Sequence, residues 1–336
     1  MTWSKFTKDN IKIFKTYKYT LKSNNILYKS IKNKRDDIKL FIRQNKIYFN
    51  ITKLENLDKY ESKINSYSDA YFVDRKNVIK ELKNLSVIYE INWDNNTIII
   101  RTTENDFIHI KKRLRIIIYM IEYLKKMSEY SDNISIYLVL TKLNKKFTTN
   151  HIMDVENANS GYTNINDNDN YIFIWRYEEF EKVLFHELMH LFNLDTRDHM
   201  FDNHINIKGE TSYFEAITDF WGIYYYIVFI SLISRVQIKL LLELELGFIR
   251  NQAMQLNNIL MLNDWEIKPN KTITQKTAAF SYYIIKYLLF EYALLNSLDD
   301  YNSDPNTLIK KILNIGFKTI PYKKIESARM TLLQLL

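Results

Sequence analysis

The segment KVLFHELMHLFN, residues 182–193, places two histidines and a glutamate in an otherwise almost wholly apolar stretch. The longer segment 176–195 predicts a single helix, with acidic residues in its first turns, where negative charge suits the helix dipole. Positions four apart share one face of a helix, so His186 and His190 are spaced to bind one metal ion together. Glu187 lies about 100° further round the helix, beside such an ion and not on it.

This spacing is the H-E-x-x-H arrangement, in which two imidazoles bind Zn²⁺ and the glutamate acts as a general base. The chain has only six histidines, so a chance occurrence of the pattern is rare. The alternative is a pair of hydrogen-bonded core histidines with an ion-paired glutamate. Burying these three side chains on an apolar helix is costly unless something binds them, and a metal ion would satisfy all three. The sequence therefore predicts one zinc ion per chain.

The following helical segment supplies candidates for a third ligand, since a catalytic zinc site usually has three protein ligands and one open position. In GETSYFEAITDFWG, residues 209–222, Glu215 and Asp219 lie four apart and share a helical face. Alternatively, Glu215 belongs to a capping box with Ser212 at the start of its own helix. The linking loop is either an ordinary polar loop or a source of a substitute ligand or second cation site. Its candidate residues are Asp195, Asp198, His199, Asp202 and His204.

H-E-x-x-H followed by E-A-I-T-D resembles the gluzincin metallopeptidases, the thermolysin-like zincins, over roughly residues 170–225. The resemblance implies that Glu187 is the general base. It also implies that Asp219 holds a zinc-binding histidine through the other ring nitrogen. The ligand set implied by the resemblance is His186, His190 and Glu215.

The chain departs from the thermolysin pattern after the third ligand. Thermolysin stabilises the oxyanion with a late histidine, whereas this chain has no histidine beyond His204. Other gluzincins use a tyrosine of the helical part, and TAAFSYYIIKYLLFEY, residues 277–292, offers Tyr282 and Tyr283. We prefer Tyr283. The alternative is that both are core side chains, since the chain has 25 tyrosines.

Upstream, NANSGYTN, residues 157–164, is a candidate substrate-binding edge. Zincins similar to this chain pair their substrate with a sheet edge above the metal. Gly161 would allow two backbones to approach closely there, and a simple turn is the alternative. Together with W-R-x-E-E and F-S-Y-Y, this segment also resembles uncharacterised zincin-like proteins of large DNA viruses. That resemblance implies a virion or an infected host cell as the location.

The remaining patterns predict an α+β fold of zincin type, with the sheet and active-site helix in the first half and a mainly helical C-terminal lobe. Residue alternation and apolar periodicity predict hairpins at 37–52 and 86–103, a helix at 105–130, and strands at 134–143 and 171–176. The predicted division is 1–130 with a basic arm, 131–205 with the sheet and active-site helix, and 206–336 as the helical lobe.

The net charge of +8 is concentrated near the start of the chain. Residues 1–46 contain 13 lysines and arginines against three aspartates, so the rest of the chain is close to neutral. Such an arm could attract nucleic acid, an acidic partner or anionic lipid. The alternative is a solvated helix with scattered lysines.

Two further features concern the compartment. The chain has no cysteine, which excludes disulfides and cysteine-ligated metal sites, and its first residues lack a secretory h-region, so we expect an intracellular protein. The apolar stretch 220–234 is shorter than the roughly 20 residues needed to cross a bilayer. It predicts a buried helix and no membrane span.

These observations predict a zinc-dependent hydrolase that cleaves peptide bonds in a peptide or protein substrate, with water activated by Glu187. Two other functions stay open. One is a zincin-fold binding or scaffold protein with weak or no catalysis, and the other is nucleic-acid binding through residues 1–46.

Overall fold

The computed structural model describes residues 2–16, 19–55, 58–70, 73–148, 152–165, 170–195, 204–209, 212–302 and 304–335. The helices are α1 Lys5–Thr16, α2 Ile26–Gln44, α3 Asp58–Tyr67, α4 Arg75–Leu82, α5 Glu104–Met127, α6 Val155–Ala158, α7 Phe180–Leu191, α8 Tyr213–Ser234, α9 Ile238–Ile259, α10 Lys286–Leu295 and α11 Pro305–Ile315. The strands are β1 Asn50–Leu54, β2 Val87–Trp93, β3 Asn96–Thr102, β4 Ser135–Thr141, β5 Gly161–Asn164, β6 Tyr171–Arg176, β7 Ile207–Gly209 and β8 Ile273–Gln275. A π-helix, Ser281–Ile285, leads into α10, and a 3₁₀ turn spans Leu298–Asn302.

Six strands form one mixed sheet in the order β1-β2-β3-β4-β6-β5. Its centre, β3-β4-β6, is parallel, while β1-β2-β3 and β6-β5 are antiparallel. Strand β5 therefore lies at one edge of the sheet, next to α7. A second, two-stranded parallel sheet pairs β7 with β8. The fold is α+β, as predicted from strands in the first half of the chain and helices in the second.

The two faces of the central sheet are buried in different apolar clusters. On β6, Ile172 and Ile174 pack into the main core, while Phe173 and Trp175 pack with α3 and α4 on the other face. Successive side chains of a strand point to opposite faces, so a strand covered on both sides reads as a continuous apolar run. The main core also draws on α5, α7, α8 and the C-terminal helices. The three-part division of the chain remains a prediction.

Helix α8 is central to the helical half and packs against α7, α2, α5 and α9. Among the described residues it is the one helix long and apolar enough to cross a bilayer, and 83% of that apolar window is buried inside the structure. The burial accounts for the apolar run at 220–234, because the run packs against neighbouring helices on several sides.

The hairpin predicted at 37–52 is wrong. Helix α2 continues to Gln44, Asn45 is its C-cap, and only β1 is extended. The physical reason is that Leu27, Ile31 and Ile38 lie along one face of α2 and are all buried. Because these side chains are buried where α2 packs against α8, the segment is helical in spite of the short apolar alternation that suggested a strand.

The hairpin predicted at 86–103 is confirmed, with β2 and β3 joined at Asp94, whose φ is 45°. The long helix predicted at 105–130 is α5. Its N-cap is Thr103, whose side chain accepts from the Asp106 N–H at 3.2 Å. Strands β4 and β6 lie where the apolar runs predicted them.

After α11, the chain has little regular structure but passes through the interior. Residues 328–335 are almost entirely buried. The Leu335 carbonyl accepts from Arg113 of α5 at 3.0 Å, and the Leu333 carbonyl accepts from the Tyr226 hydroxyl of α8 at 2.7 Å. This segment brings Met330 next to α7.

Candidate metal centre

Helix α7 carries the two histidines in the interior of the protein. It begins after Glu179, whose φ of 61° marks the entry of the chain into the helix. The carboxylate of Glu179 accepts from the N–H groups of Met330 and Thr331, each at 2.6 Å, and pairs with Lys145 at 3.1 Å. These contacts fix the start of α7 against the C-terminal segment.

His186 and His190 point the same way, as their spacing predicted. Their Nε2 atoms are 3.2 Å apart, and each residue is only 6% exposed. Glu215, in the first turn of α8, places Oε2 3.1 Å from Nε2 of His186 and 3.6 Å from Nε2 of His190. The two helices thus bring one oxygen and two nitrogens together in a partly enclosed cluster.

These separations fit a tetrahedral zinc ion. Zinc binds imidazole nitrogen and carboxylate oxygen at about 2.0–2.2 Å, and the edge of a tetrahedron with such bonds is about 3.3–3.6 Å. The three observed distances, 3.2, 3.1 and 3.6 Å, lie at or close to this range. Two neutral imidazoles and one carboxylate are also a donor set that suits zinc. The residues present therefore fit the ion.

Close packing of the two helices depends on Gly222 of α8. A Cβ atom at this position would lie 3.2 Å from the Cα, the Cβ and the main-chain nitrogen of His186. A larger residue would push α8 away from α7 and separate Glu215 from the histidines. The sequence of the segment 209–222 did not predict this role, because it depends on how α8 packs against α7.

Asp219 lies one turn after Glu215 and accepts from Nδ1 of His186 at 3.1 Å. When a metal ion is bound, this bond would keep the proton on Nδ1 and leave Nε2 of His186, which is directed at the cluster, to bind the ion. The same carboxylate is paired with the ammonium groups of Lys182, and of Lys286 at 2.7 Å. Burial raises the pKa of Asp219, but the two lysines and His186 outweigh burial and hold it well below the usual range.

Asp195 has the corresponding position at the second histidine. It lies four residues after the end of α7 and forms a hydrogen bond with Nδ1 of His190, while the hydroxyl of Thr218 donates to it at 3.2 Å. The sequence suggested Asp195 only as a substitute ligand or part of a second cation site. In the same loop, His204 lies against the ring of Tyr213 and outside the ligand cluster. Three further loop candidates lie outside the described residues: Asp198, His199 and Asp202.

The electrostatics of the cluster favour a cation. Burial lowers the pKa of His190, but Glu215 and Asp195 outweigh burial and raise it to about 10. Burial opposes the charged form of Glu215 too, yet the two histidines hold its pKa far below the usual value. Carboxylates thus surround the imidazoles, so a bound metal ion would take the place of protons in this cluster.

Glu187 is held under the edge strand β5. Thr163 of β5 donates its hydroxyl proton to Oε2 of Glu187 at 2.8 Å. A Cβ atom on Gly161 would lie 3.1 Å from Oε1 of Glu187 and 2.7 Å from the side chain of Val183. A glycine is therefore required for this strand to lie so close to α7, and the contact with Thr163 was not predicted.

The hydroxyl groups of the two candidate tyrosines bind different partners. The Tyr282 hydroxyl donates to Oε2 of Glu215 at 3.1 Å. The fully buried Tyr283 instead donates its hydroxyl proton to the carbonyl of Ala328, away from the ligand cluster. The preference for Tyr283 is therefore not supported by the geometry. Both residues lie on the π-helix, a widened turn that is frequent at functional sites.

A small cavity of about 50 Å³ opens beside the ligand cluster. It is bounded by His186 and Glu187 of α7, Gly161 of β5, Tyr282 of the π-helix and Met330 of the C-terminal segment. The cavity therefore joins the elements that carry the candidate ligands, the candidate base and the candidate hydroxyl donor.

Comparison of the chain with protein-family models, curated protein sequences and solved structures finds no match. The function of the cluster is therefore inferred from its geometry and chemistry.

Proposed function

We propose that the protein is a zinc-dependent peptidase of the gluzincin type. The observation that carries this proposal is the set of three ligand atoms at tetrahedral separations, with the Nδ1 atom of each histidine bound to its own aspartate. A zinc ion in this cluster would supply Lewis acidity for polarising a carbonyl group and activating water. The zincin-type fold is part of the same proposal, supported by the edge strand beside α7 and the helices that follow it.

Glu187 would act as the general base. Its carboxylate lies on the cavity wall next to His186, and the Thr163 hydroxyl orients it. In the proposed reaction Glu187 accepts a proton from the attacking water and passes it to the leaving amine. The carbon–nitrogen bond breaks as the carbon–oxygen bond forms, so an amide and water give a carboxylic acid and an amine.

Tyr282 would stabilise the oxyanion. Its hydroxyl lies at the ligand cluster, where it donates to Glu215 in the present arrangement. A hydroxyl that turns from this carboxylate to the substrate oxygen would donate a hydrogen bond where negative charge develops. Removing one such donor typically costs about 10²–10³ in kcat.

The edge strand β5 would bind the substrate backbone. Within the described residues, β6 is the one neighbour of β5 in the sheet, so the opposite side of β5 can accept an added strand. Because β5 also positions Thr163 over Glu187, a substrate paired with it would lie beside the base. This arrangement favours an extended peptide as the substrate.

Cleavage of a peptide library by the zinc-loaded protein, beside the Glu187→Gln variant, tests the proposal. We expect cleavage by the wild type and retention of zinc with loss of cleavage in the variant. The matched control is Glu266→Gln, an exposed glutamate far along the chain. A wild-type protein that binds zinc but cleaves nothing would overturn the peptidase and support the scaffold alternative.

A further inference from the structure

Helix α2, which lies in the basic first part of the chain, displays a row of cations on its exposed face. Its apolar face is buried through Leu27, Ile31 and Ile38. Four cationic residues on the other side are spaced by three, seven and four positions, so they fall within an arc of about 80° over about 21 Å. We call them the basic stripe: Lys29, Lys32, Lys39 and Arg43. Three of the four are exposed, and the side chain of Lys39 is 42% exposed.

The carboxylates of α2 leave most of this charge unpaired. Asp36 lies within the arc of the stripe, where it pairs with Arg35 at 3.0 Å and lies 3.9 Å from Nζ of Lys39. Asp37 lies about 100° further round the helix, where its charge acts on Tyr224. Within the described part of the chain, no ion pair is formed by the other three members of the stripe: Lys29, Lys32 and Arg43.

Neighbouring helices do not supply the missing carboxylates. Helix α2 packs against α5, α8, α9 and α10, and every carboxylate on these four helices has a described partner outside the stripe. These residues are Glu104, Asp106 and Glu122 of α5, Glu215 and Asp219 of α8, Glu243 and Glu245 of α9, and Glu291 of α10. The stripe is therefore a surface of uncompensated positive charge, which attracts an extended anion.

The surroundings of the stripe argue against a membrane or a folded protein as that anion. A basic helix binds lipid firmly when its apolar face enters the bilayer, but the apolar face of α2 is buried in the core. A stable protein interface needs an apolar centre. The exposed large apolar side chains of α2 are Ile26 and Leu40, which lie about four turns apart and form no such centre.

We propose that the basic stripe binds nucleic acid through its phosphates, without preference for sequence. Contacts between cations and phosphates suffice for such binding and require neither an apolar centre nor a pocket. Along the axis of a duplex, one strand carries a phosphate about every 3.4 Å, so the length of the stripe corresponds to about six phosphates. The inference is independent of zinc and of the proposed peptidase function.

The full chain is tested by fluorescence anisotropy with a labelled 20-nucleotide DNA of mixed sequence, single-stranded and as a duplex, at several salt concentrations. We expect log K to fall with log[salt] at a slope of about −3 to −4, as expected for four cations on phosphates. A 20-residue polyglutamate competitor carries at most one charge per 3.3–3.6 Å, against one per 1.7 Å in a duplex. It should therefore bind at least about tenfold more weakly than the duplex.

The decisive variant is the triple substitution Lys29→Gln, Lys32→Gln and Arg43→Gln, which removes the three unpaired cations. Its matched control removes three exposed lysines of α4 and its C-cap: Lys76→Gln, Lys80→Gln and Lys83→Gln. Both proteins lose the same net charge, and both should keep the Tm of the wild type because the side chains are exposed. We expect the salt slope to decrease in magnitude by about 2–3 in the stripe variant only.

Asp36→Asn gives a change in the opposite direction. It removes the carboxylate inside the stripe and releases Arg35 and Lys39, so DNA should bind more tightly and with a steeper salt slope. No gain of affinity in Asp36→Asn would contradict the proposal. Equal losses in the stripe variant and the α4 control would overturn it too, because net charge would then explain the binding.

Two further outcomes would also reject the nucleic-acid assignment. In the first, polyglutamate displaces the duplex at equal concentration, which would make an acidic protein the partner. In the second, vesicles containing phosphatidylserine bind the chain but DNA does not, which would make a membrane surface the partner. Zinc and peptide are absent from every measurement, so these results leave the peptidase proposal untouched.

Discussion

Asp195 holds Nδ1 of His190 although it lies just beyond the helix that carries the histidine. Asp219 holds Nδ1 of His186 from the neighbouring helix α8. Each imidazole thus has one nitrogen bound to a carboxylate and the other directed at Glu215. Such partners fix the tautomer and the ring orientation of a metal-binding histidine, and losing one typically costs 10–100-fold in metal affinity.

We therefore expect Asp195→Asn to lower the affinity for zinc about 10–100-fold while one zinc site per chain remains. The amide cannot accept the Nδ1 proton with the strength of a carboxylate. Competition with a chelator measures the affinity, and Asp36→Asn, at an exposed ion pair on α2, is the control. Unchanged affinity in Asp195→Asn would show that this carboxylate does not act on the metal site.

Gly222→Ala should lower both thermal stability and zinc affinity. In an exposed helix, replacing glycine with alanine stabilises by about 1 kcal/mol. Here the new methyl group would lie 3.2 Å from main-chain atoms of His186, which cannot rotate away. We expect a net loss of about 1–3 kcal/mol, as is usual for overpacking, and a larger loss in Gly222→Val. A raised Tm in Gly222→Ala would contradict the close packing of α7 and α8.

Substitutions of the two tyrosines of the π-helix should have different effects, one on catalysis and the other on stability. Tyr282→Phe removes the hydroxyl at Glu215, so we expect kcat to fall about 10²–10³-fold with little change in Tm. Tyr283→Phe leaves the buried Ala328 carbonyl unpaired and should cost about 1–3 kcal/mol of stability. A larger loss of kcat in Tyr283→Phe than in Tyr282→Phe would reverse the assignment.

Glu245 of α9 should make stability depend on pH. Burial raises its pKa from 4.5 to about 7 in the folded protein, although Thr331 and Lys286 partly counter this. The folded state therefore binds a proton that the unfolded state releases, and stability falls as the pH rises between about 4.5 and 7. The shift corresponds to roughly 3 kcal/mol in the free energy of unfolding.

Glu245→Gln keeps the acceptor for the Leu332 N–H, which the wild-type carboxylate binds at 3.2 Å, and removes the titration. Chemical denaturation at several pH values should therefore show a smaller decrease in stability for this variant than for the wild type. Parallel curves for the two proteins would show that Glu245 does not titrate in this range.

The shared faces within each of the two helices were predictable because they depend on local geometry, whereas the meeting of Glu215 with the histidines was predicted only from the gluzincin resemblance. Residues four apart on a helix must share a face, so the positions of His186 and His190, and of Glu215 and Asp219, followed from two short segments. The residues that orient the cluster were harder to predict. Thr163 contacts Glu187 from a sheet edge, and Lys286 contacts Asp219 from α10, which is distant in sequence. Both contacts therefore depend on tertiary packing.

Two differences between the sequence predictions and the structure have specific causes. At residues 37–44 a short apolar alternation suggested a strand, but the longer-range periodicity from Leu27 to Ile38 decided for a helix. At Tyr282 and Tyr283, adjacent positions in one apolar segment gave no basis for choosing between them, and the structure places the Tyr282 hydroxyl at Glu215 and the Tyr283 hydroxyl at Ala328.

The most direct test is the zinc content of the purified wild-type protein beside Glu215→Ala, with His109→Ala as a control for a histidine outside the cluster. We expect about one zinc per chain in the wild type and the control, and sharply reduced retention in Glu215→Ala. Absence of zinc from the wild type after reconstitution would contradict the metal centre itself. Full retention in Glu215→Ala would contradict the assignment of the third ligand.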